Sequence, residues 1–304
     1  MLKKYQIADG RMVESPDGES QVLVFFNPDE SEKRYLIDEL KVDEHTLHSS
    51  LDPDELSRLE FEPNHLALIF KGPRNYSAQD QFLFKVASTG LFLFKDRLVV
   101  VAAGEMTLFE GKQFTKVASL PHLMLRLIYA SILHFFGHLK IINMISDELE
   151  DKVTASMENK FLLNMFTLEK SLVYYLNAIN SNGVLIERLR NNAAKIGFTP
   201  LETELLDDIH IENTQCYRQA DIYSNILSSM MDARVSIVSN NLNILMKTLN
   251  IITIMIMVPT FVVSAFSMNV HIPISSHPFA FWIIIGMALV SVMSFMFYWR
   301  YKRW

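Results

Sequence analysis

Two hydrophobic patterns divide the chain. Up to residue 118, short β-branched and aromatic runs alternate with polar connections, which predicts strands at 21–26, 33–37, 66–70, 81–87, 90–94 and 98–102. Helices fit between them. One is expected at 42–49, with Asp43 and Glu44 at its start; another is opened by Asp52-Pro53-Asp54-Glu55, with Asp as cap and Pro at the first helical position. From Leu120 on, proline is sparse and apolar residues recur at helical spacing, as in Leu123, Leu127, Ile128 and Leu133, then Leu139, Ile142 and Ile145. Three long helices follow, at about 120–156, 158–192 and 201–266. The last begins at Gly197-Phe198-Thr199-Pro200, where Thr199 caps a Pro-led helix with Glu202 and Glu204 in its first turn.

The end of the chain is of another kind. Residues 248–299 contain no Asp, Glu, Lys or Arg, and the strong break in them is His271-Ile-Pro-Ile-Ser-Ser-His-Pro278. A helix crosses the bilayer hydrocarbon with about 20 apolar residues, so this stretch accommodates two crossings and a tight loop. The expected organisation is an α/β domain at 1–118, a helical stalk at 119–247 and a membrane hairpin with a basic tail at 248–304. Basic residues after the second crossing, Arg300, Lys302 and Arg303, favour the cytoplasmic side, which puts both termini inside and residues 267–278 outside. Composition agrees with a mainly cytosolic protein: Lys3 and Lys4 are followed by no signal-like apolar run, and the single cysteine, Cys216, builds no disulfide framework within one chain. With a net charge of −6 the chain suggests no nucleic-acid partner, and it carries no Gly-rich phosphate loop or nucleophile motif, so an enzyme is not expected.

The sharpest pattern lies in the last long helix. Alternate steps of four and three from Asn225 land on Ser229, Asp232, Ser236, Ser239, Asn243, Met246, Asn250, Thr253, Met257, Thr260, Ser264 and Ser267. A repeat of 3.5 residues keeps one helix face turned to a common axis in a left-handed bundle. Polar residues on such a face within lipid have two readings, as glue between helices or as the wall of a watery path. Continuation of the stripe into the soluble part, where Asp232 sits on it, favours the path. One such helix encloses nothing, so several copies must surround the axis.

The segment Ser239–Phe261, with Asn-x-x-Met-Lys-x-Leu at Asn243 to Leu249 and Pro259-Thr260 near its far end, resembles the pore helix of the CorA-type divalent-cation channels. Ser267-Met268-Asn269 stands where that family has Gly-Met-Asn, and Val42 to Glu55, with its Leu51-Asp52-Pro53 turn, is similar to the family's N-terminal module. The resemblance implies a funnel-shaped homopentamer in a bacterial inner membrane, with an α/β N-terminal domain, a long-helix stalk and two C-terminal transmembrane helices. It implies passive, gated transport of divalent cations, Mg²⁺ first, with Co²⁺ and Ni²⁺ as further cargo, and no organic cofactor. On this resemblance Met268 and Asn269 form the outer selectivity ring, where amide oxygens suit hydrated Mg²⁺. Met246, Leu249 and Met257 form an apolar neck that closes by expelling water, Asp232 forms an acidic ring, and Asp208 matches a regulatory cation site between subunits.

Two departures matter. Ser267 replaces a glycine suited to a helix-ending turn with positive φ, which costs roughly 1 kcal/mol per chain unless the turn differs. The loop after it has His271 and His277 and no carboxylate, and imidazole favours transition metals such as zinc. Alternatives are therefore a zinc or other transition-metal transporter of the same fold, or a membrane-anchored sensor or scaffold without ion flux. His134 and His138, four apart on a helix, have ligand spacing, but Phe135 and Phe136 between them suggest a packed face.

Overall fold

The computed structural model describes residues 1–15, 20–77, 80–104, 108–155, 159–268, 270, 274 and 276–302. They fall into two compact units, Met1–Met231 and Asp232–Trp304. The first is built on seven strands, β1 (Leu2–Ala8), β2 (Arg11–Glu14), β3 (Val22–Phe26), β4 (Arg58–Phe61), β5 (His65–Pro73), β6 (Val86–Phe94) and β7 (Leu98–Ala102), in the spatial order β2-β1-β3-β7-β6-β5-β4. At its centre β3 and β7 run parallel, in register from Val22↔Leu98 to Phe26↔Ala102; the other pairings are antiparallel. Both central strands are buried along their whole length, as unbroken apolar sequence requires of a sheet covered on both faces.

Side chains two apart on a strand share a face, and this period sorts the core. Val22, Val24, Phe26, Leu98, Val100 and Ala102 pack with α3 (Leu120–Ala155), α4 (Asn159–Asn191) and the beginning of α6 (Pro200–Phe266). Leu23, Phe25, Val99 and Val101 face the other way, onto Leu36, Val42 and Leu47 of the segment holding α1 (Glu30–Arg34) and α2 (Glu44–Leu51). The result is a helix–sheet–helix sandwich. Leu47 is fully buried in the smaller layer, where truncation to Ala would cost about 2–5 kcal/mol.

Several local expectations are corrected. Residues 33–37 are helical, not a strand: α1 passes into a wider π-type turn at Tyr35–Glu39. The cause is a capping box, in which Asp29 Oδ1 accepts from Ser31 N at 2.8 Å and Glu32 N at 2.9 Å while Glu32 Oε2 accepts from Asp29 N at 3.1 Å. Asp52 ends α2 and opens no helix; its carboxylate accepts from Asp54 N at 2.9 Å, a local turn. The runs at 81–87 and 90–94 merge into β6. Residues 81 and 82 lie outside it, both with positive φ, and the strand Val86–Phe94 runs through Gly90 without a break.

The three long helices are close to expectation. Thr199 caps α6 as its sequence predicts, with Thr199 N donating to Glu202 Oε2 at 2.7 Å, and Ser119 Oγ at the head of α3 donates to Glu202 Oε1. The preceding turn closes α5 (Ala193–Ile196) through Gly197, whose φ of 85° glycine adopts without strain. By length and composition α3 is apolar enough to cross a membrane, but half of its most apolar stretch is buried against the sheet and α4. Its hydropathy belongs to the core. The corresponding stretches of α6 and of α7 (Ala280–Lys302) are almost wholly bare, 0% and 6% buried.

Beyond the reach of β4, the outer edge of β5 is closed by a side chain. Asn182 on α4 accepts from Lys71 N and donates to Lys71 O, each at 2.8 Å, as a neighbouring strand would. Ser57 Oγ donates to the same Asn182 oxygen at 2.8 Å, and Ser131 Oγ on α3 to Lys71 O at 2.9 Å. An open edge is thereby satisfied without an eighth strand.

Candidate functional site

In the second unit, α6 and α7 cover each other along one seam. Ile251, Met255, Val258, Val262 and Phe266 on α6 are partly covered, as are Ile284, Ser291, Val292 and Phe295 on α7, where Ala288 is buried. With about 100° per residue, the α6 side of this seam lies opposite Thr253, Met257, Thr260 and Ser264. These four are exposed, together with Asp232, Asn243, Met246, Leu249 and Asn250. From Met257 on, the stripe thus lies on surface that α7 leaves bare. A strict 3.5-residue repeat drifts by ~20° per heptad on a straight helix, and nearer Lys247 the stripe comes round toward α7. There Asn243, Met246, Asn250 and Thr253 share a cleft of about 730 Å³ with Phe295, Tyr298 and Trp299.

The hydroxyls on the stripe point their protons inward. Thr253 Oγ1 donates to Leu249 O at 2.9 Å, Thr260 Oγ1 to Ile256 O at 2.6 Å and Ser236 Oγ to Asp232 O at 3.1 Å. Bonds back to the preceding turn use up the donor and leave oxygen lone pairs outward. With the amide oxygens of Asn243 and Asn250 and the carboxylate of Asp232, the face offers acceptors. Acceptors suit cations and the protons of their hydration water.

At its far end α6 closes without left-handed backbone at Ser267. Ser267 N donates to Ser264 O at 3.1 Å and Ser267 Oγ to the same oxygen at 3.0 Å, and Ser267 is not among the residues of positive φ. A serine at this position therefore carries no φ penalty. Met268 is exposed; Asn269 and His271 lie outside the described residues. The ring nitrogen Nδ1 of His277 accepts from Phe279 N at 3.2 Å, at the head of α7, so this histidine serves the turn.

In the first unit, Asp208 is exposed on α6, while neighbouring Asp207 pairs with Arg190 of α4 at 2.8 Å. The Tyr129 hydroxyl is pushed above its ordinary range, by burial first and then by the charges of Glu212 and Asp208. His134 and His138 are packed, with ring centroids 4.4 Å apart, and His138 Nδ1 meets Tyr175 Oη at 2.6 Å. Burial holds both imidazoles below the usual value, His138 at about 4 with the help of His134. Among the described residues no group of three or more His, Cys, Asp or Glu is placed to hold a metal ion. The lone thiol, Cys216, is buried in the main core and pushed up to about 12 by that burial and by Glu212.

Known proteins resemble the chain over nearly its whole length. The profile of the family described as CorA-like Mg²⁺ transporter protein matches residues 20–301. The cobalt/magnesium transport protein CorA of Methanocaldococcus jannaschii is 23% identical over 291 residues, 92% of this chain and 89% of that one. The complete structure of the CorA magnesium transporter from Methanocaldococcus jannaschii superposes with a TM-score of 0.80 at 19% identity, covering 98% of this chain and 96% of that one. The full-length CmaX protein gives 0.75 at 15% identity, over 100% of this chain and 97% of its own. Likeness at such identity establishes the fold: an α/β sheet domain, long helices and a C-terminal helical hairpin.

Proposed function

The chain belongs to the CorA-like Mg²⁺ transporter family, and from that premise we propose that it conducts divalent cations passively across a membrane through a pore built from five copies of α6. The observation that carries this reading is the acceptor-lined stripe. Asn250, Thr253, Thr260 and Ser264 fall within a segment uncharged from 248 to 299, yet a single chain leaves them bare. Polar side chains in lipid face other protein or water, so copies that turn these faces to one axis cover them and create a wet path together.

In this reading residues 1–118 and 119–247 are cytosolic, 248–304 form the membrane hairpin, and both termini lie inside a bacterial inner membrane. Asn269, with Ser267 and Met268, receives hydrated Mg²⁺ at the outer mouth, since Mg²⁺ gives up water reluctantly. Met246, Leu249 and Met257 form the neck that dries when shut. Asp232 concentrates cations at the inner mouth, and Asp208 binds regulatory cation between subunits. The relative from Methanocaldococcus jannaschii is named for cobalt as well as magnesium, which supports Co²⁺ as cargo beside Mg²⁺.

The test is uptake by vesicles that contain only the purified protein and an internal Mg²⁺-sensitive dye. Uptake should rise with an inside-negative potential and need no nucleotide. Absence of flux for every divalent ion tried would return the chain to the class of membrane-anchored sensors or scaffolds.

A further inference from the structure

Where β4 turns into β5 and β6 into β7, the first unit carries a groove of about 500 Å³. Leu66, Leu93, Leu120 and Pro121 make its apolar wall, Phe61 and Phe94 give it aromatic faces, and Glu62, Lys95 and Lys195 edge it with charge. Its size suits a small organic molecule. None of these residues belongs to α6 or to the stripe. Lys and Glu are depleted where protein covers protein, so this rim is the kind of surface that water covers. Lys195 Nζ stands 3.6 Å from the Phe61 ring centroid, and among the described residues neither Lys95 nor Lys195 joins an ion pair. A buried histidine in the wall points to an occupant as well. His65 on β5 is 6% exposed, and its ring is stacked on Phe94 with centroids 4.7 Å apart. Its Nδ1 lies 2.6 Å from Asn64 Oδ1, and Asn64 Nδ2 donates to Leu40 O at 3.3 Å, which turns the amide oxygen to the ring. The neutral ring therefore donates from Nδ1 and holds a lone pair at Nε2, which meets no partner among the described residues. Buried polar atoms are ordinarily satisfied, by protein, water or ligand. Asn64 is outside the groove wall, so Nε2 is the nitrogen left for an occupant.

We propose that this groove binds a small phosphomonoester with a flat ring, of the size of a nucleoside monophosphate, its phosphate held by Lys95 and Lys195 beside His65 and its ring laid on the apolar wall. Charge and shape select the ligand together: two ammonium groups without partners call for an anion, and the apolar and aromatic faces call for a body that inorganic phosphate lacks. Burial holds the His65 imidazole below its usual value, whereas a dianion beside the ring favours its protonated form. The second proton of a phosphomonoester leaves near pH ~6. At pH 8 ring and ligand are therefore both without that proton when apart, and together they take one up, which gives Nε2 a donor for the phosphate. Ser119, whose hydroxyl donates to Glu202 in the first turn of α6, stands in the same wall, so the occupant touches the joint between α3 and α6. The site rests on the first unit alone and on no particular cargo.

The experiment is isothermal titration of the full chain in detergent at pH 8, without divalent cations, with adenosine 5′-monophosphate as the probe. The nucleotide should bind saturably, and inorganic phosphate roughly tenfold more weakly for want of a ring to bury. Its heat should change with the ionisation enthalpy of the buffer in the sense of proton uptake, about one proton per site. Lys95→Gln with Lys195→Gln should weaken binding by roughly tenfold or more, and His65→Gln should make the heat the same in every buffer. Should His65→Gln fail to fold, the buffer series on the parent and the lysine variant decide between them. Binding whose heat ignores the buffer overturns the proposal, as does an affinity that survives loss of both lysines. So does inorganic phosphate or adenosine that binds as tightly as the nucleotide. Absence of binding, the result that a groove covered by a neighbouring copy would give, overturns it too. Ion uptake by vesicles is scored separately, and a chain that conducts but binds no nucleotide keeps the transport reading and loses this one.

Discussion

At Gly90 the margin is a single atom. A Cβ there would meet Ser50 Cβ at 2.6 Å, because β6 runs directly beneath α2, and Ser50 is fully buried with its hydroxyl donating to Leu47 O at 2.6 Å. Gly90→Ala should lower stability by about 1–3 kcal/mol, read as a lower urea midpoint, and Ser50→Gly should recover part of the loss. The His138 imidazole makes a second test, in which pH is the variable. Its folded value of about 4 lies below the unfolded value of ~6.5, so the buried neutral ring contributes stability above pH ~6.5 that is lost as pH falls toward 4. The full effect is on the order of 3 kcal/mol. Urea midpoints of the parent should fall across that window, and the paired replacement His138→Leu with Tyr175→Phe, which also removes the phenol left behind, should flatten the fall. A parent as steep as the variant would mean that His138 is not the group responsible.

Elements were legible where one periodicity acted alone. β3 and β7 announced themselves as unbroken apolar runs, and α6 through the Thr199-Pro200 opening. The edge strands β1, β2 and β4 were missed because they are half-covered or exposed and their sequences, such as Leu2-Lys3-Lys4-Tyr5-Gln6-Ile7-Ala8, mix both characters. At 33–37 an apparent β run lost to Asp29-x-x-Glu32, a signal that begins four residues upstream in the sequence. The stripe on α6 was readable from spacing alone, but its acceptor chemistry was not, since only the placed hydroxyls reveal where their protons go. The neck is tested at this scale. Leu249→Ser or Met257→Gly should wet it and raise Mg²⁺ leak by about tenfold when internal Mg²⁺ is high, measured in dye-loaded vesicles. Unchanged leak in both variants, with assembly intact, would place the gate elsewhere.

For the whole molecule, the proposed assembly and cargo are tested at the residues proposed for the outer mouth and the cytosolic face. Asn269→Ala should abolish selective Mg²⁺ uptake while the oligomer elutes unchanged from a sizing column. Replacing His271 and His277 together should spare Mg²⁺ uptake; a loss confined to zinc or nickel would instead favour a transition-metal cargo. Asp208→Asn should shift inhibition by internal Mg²⁺ to several-fold higher concentration, since a neutral amide holds Mg²⁺ more weakly than a carboxylate. An inhibition curve that overlays the parent would reduce Asp208 to a surface charge. Experiments of this kind are made easier by Cys216. Buried and with its thiol raised to about 12, it carries almost no thiolate at neutral pH and so is passed over by alkylating reagents. The natural chain should therefore be silent to maleimides, and a cysteine placed at each stripe position in turn would report, by the side of the membrane from which it is labelled, how far water reaches from either end.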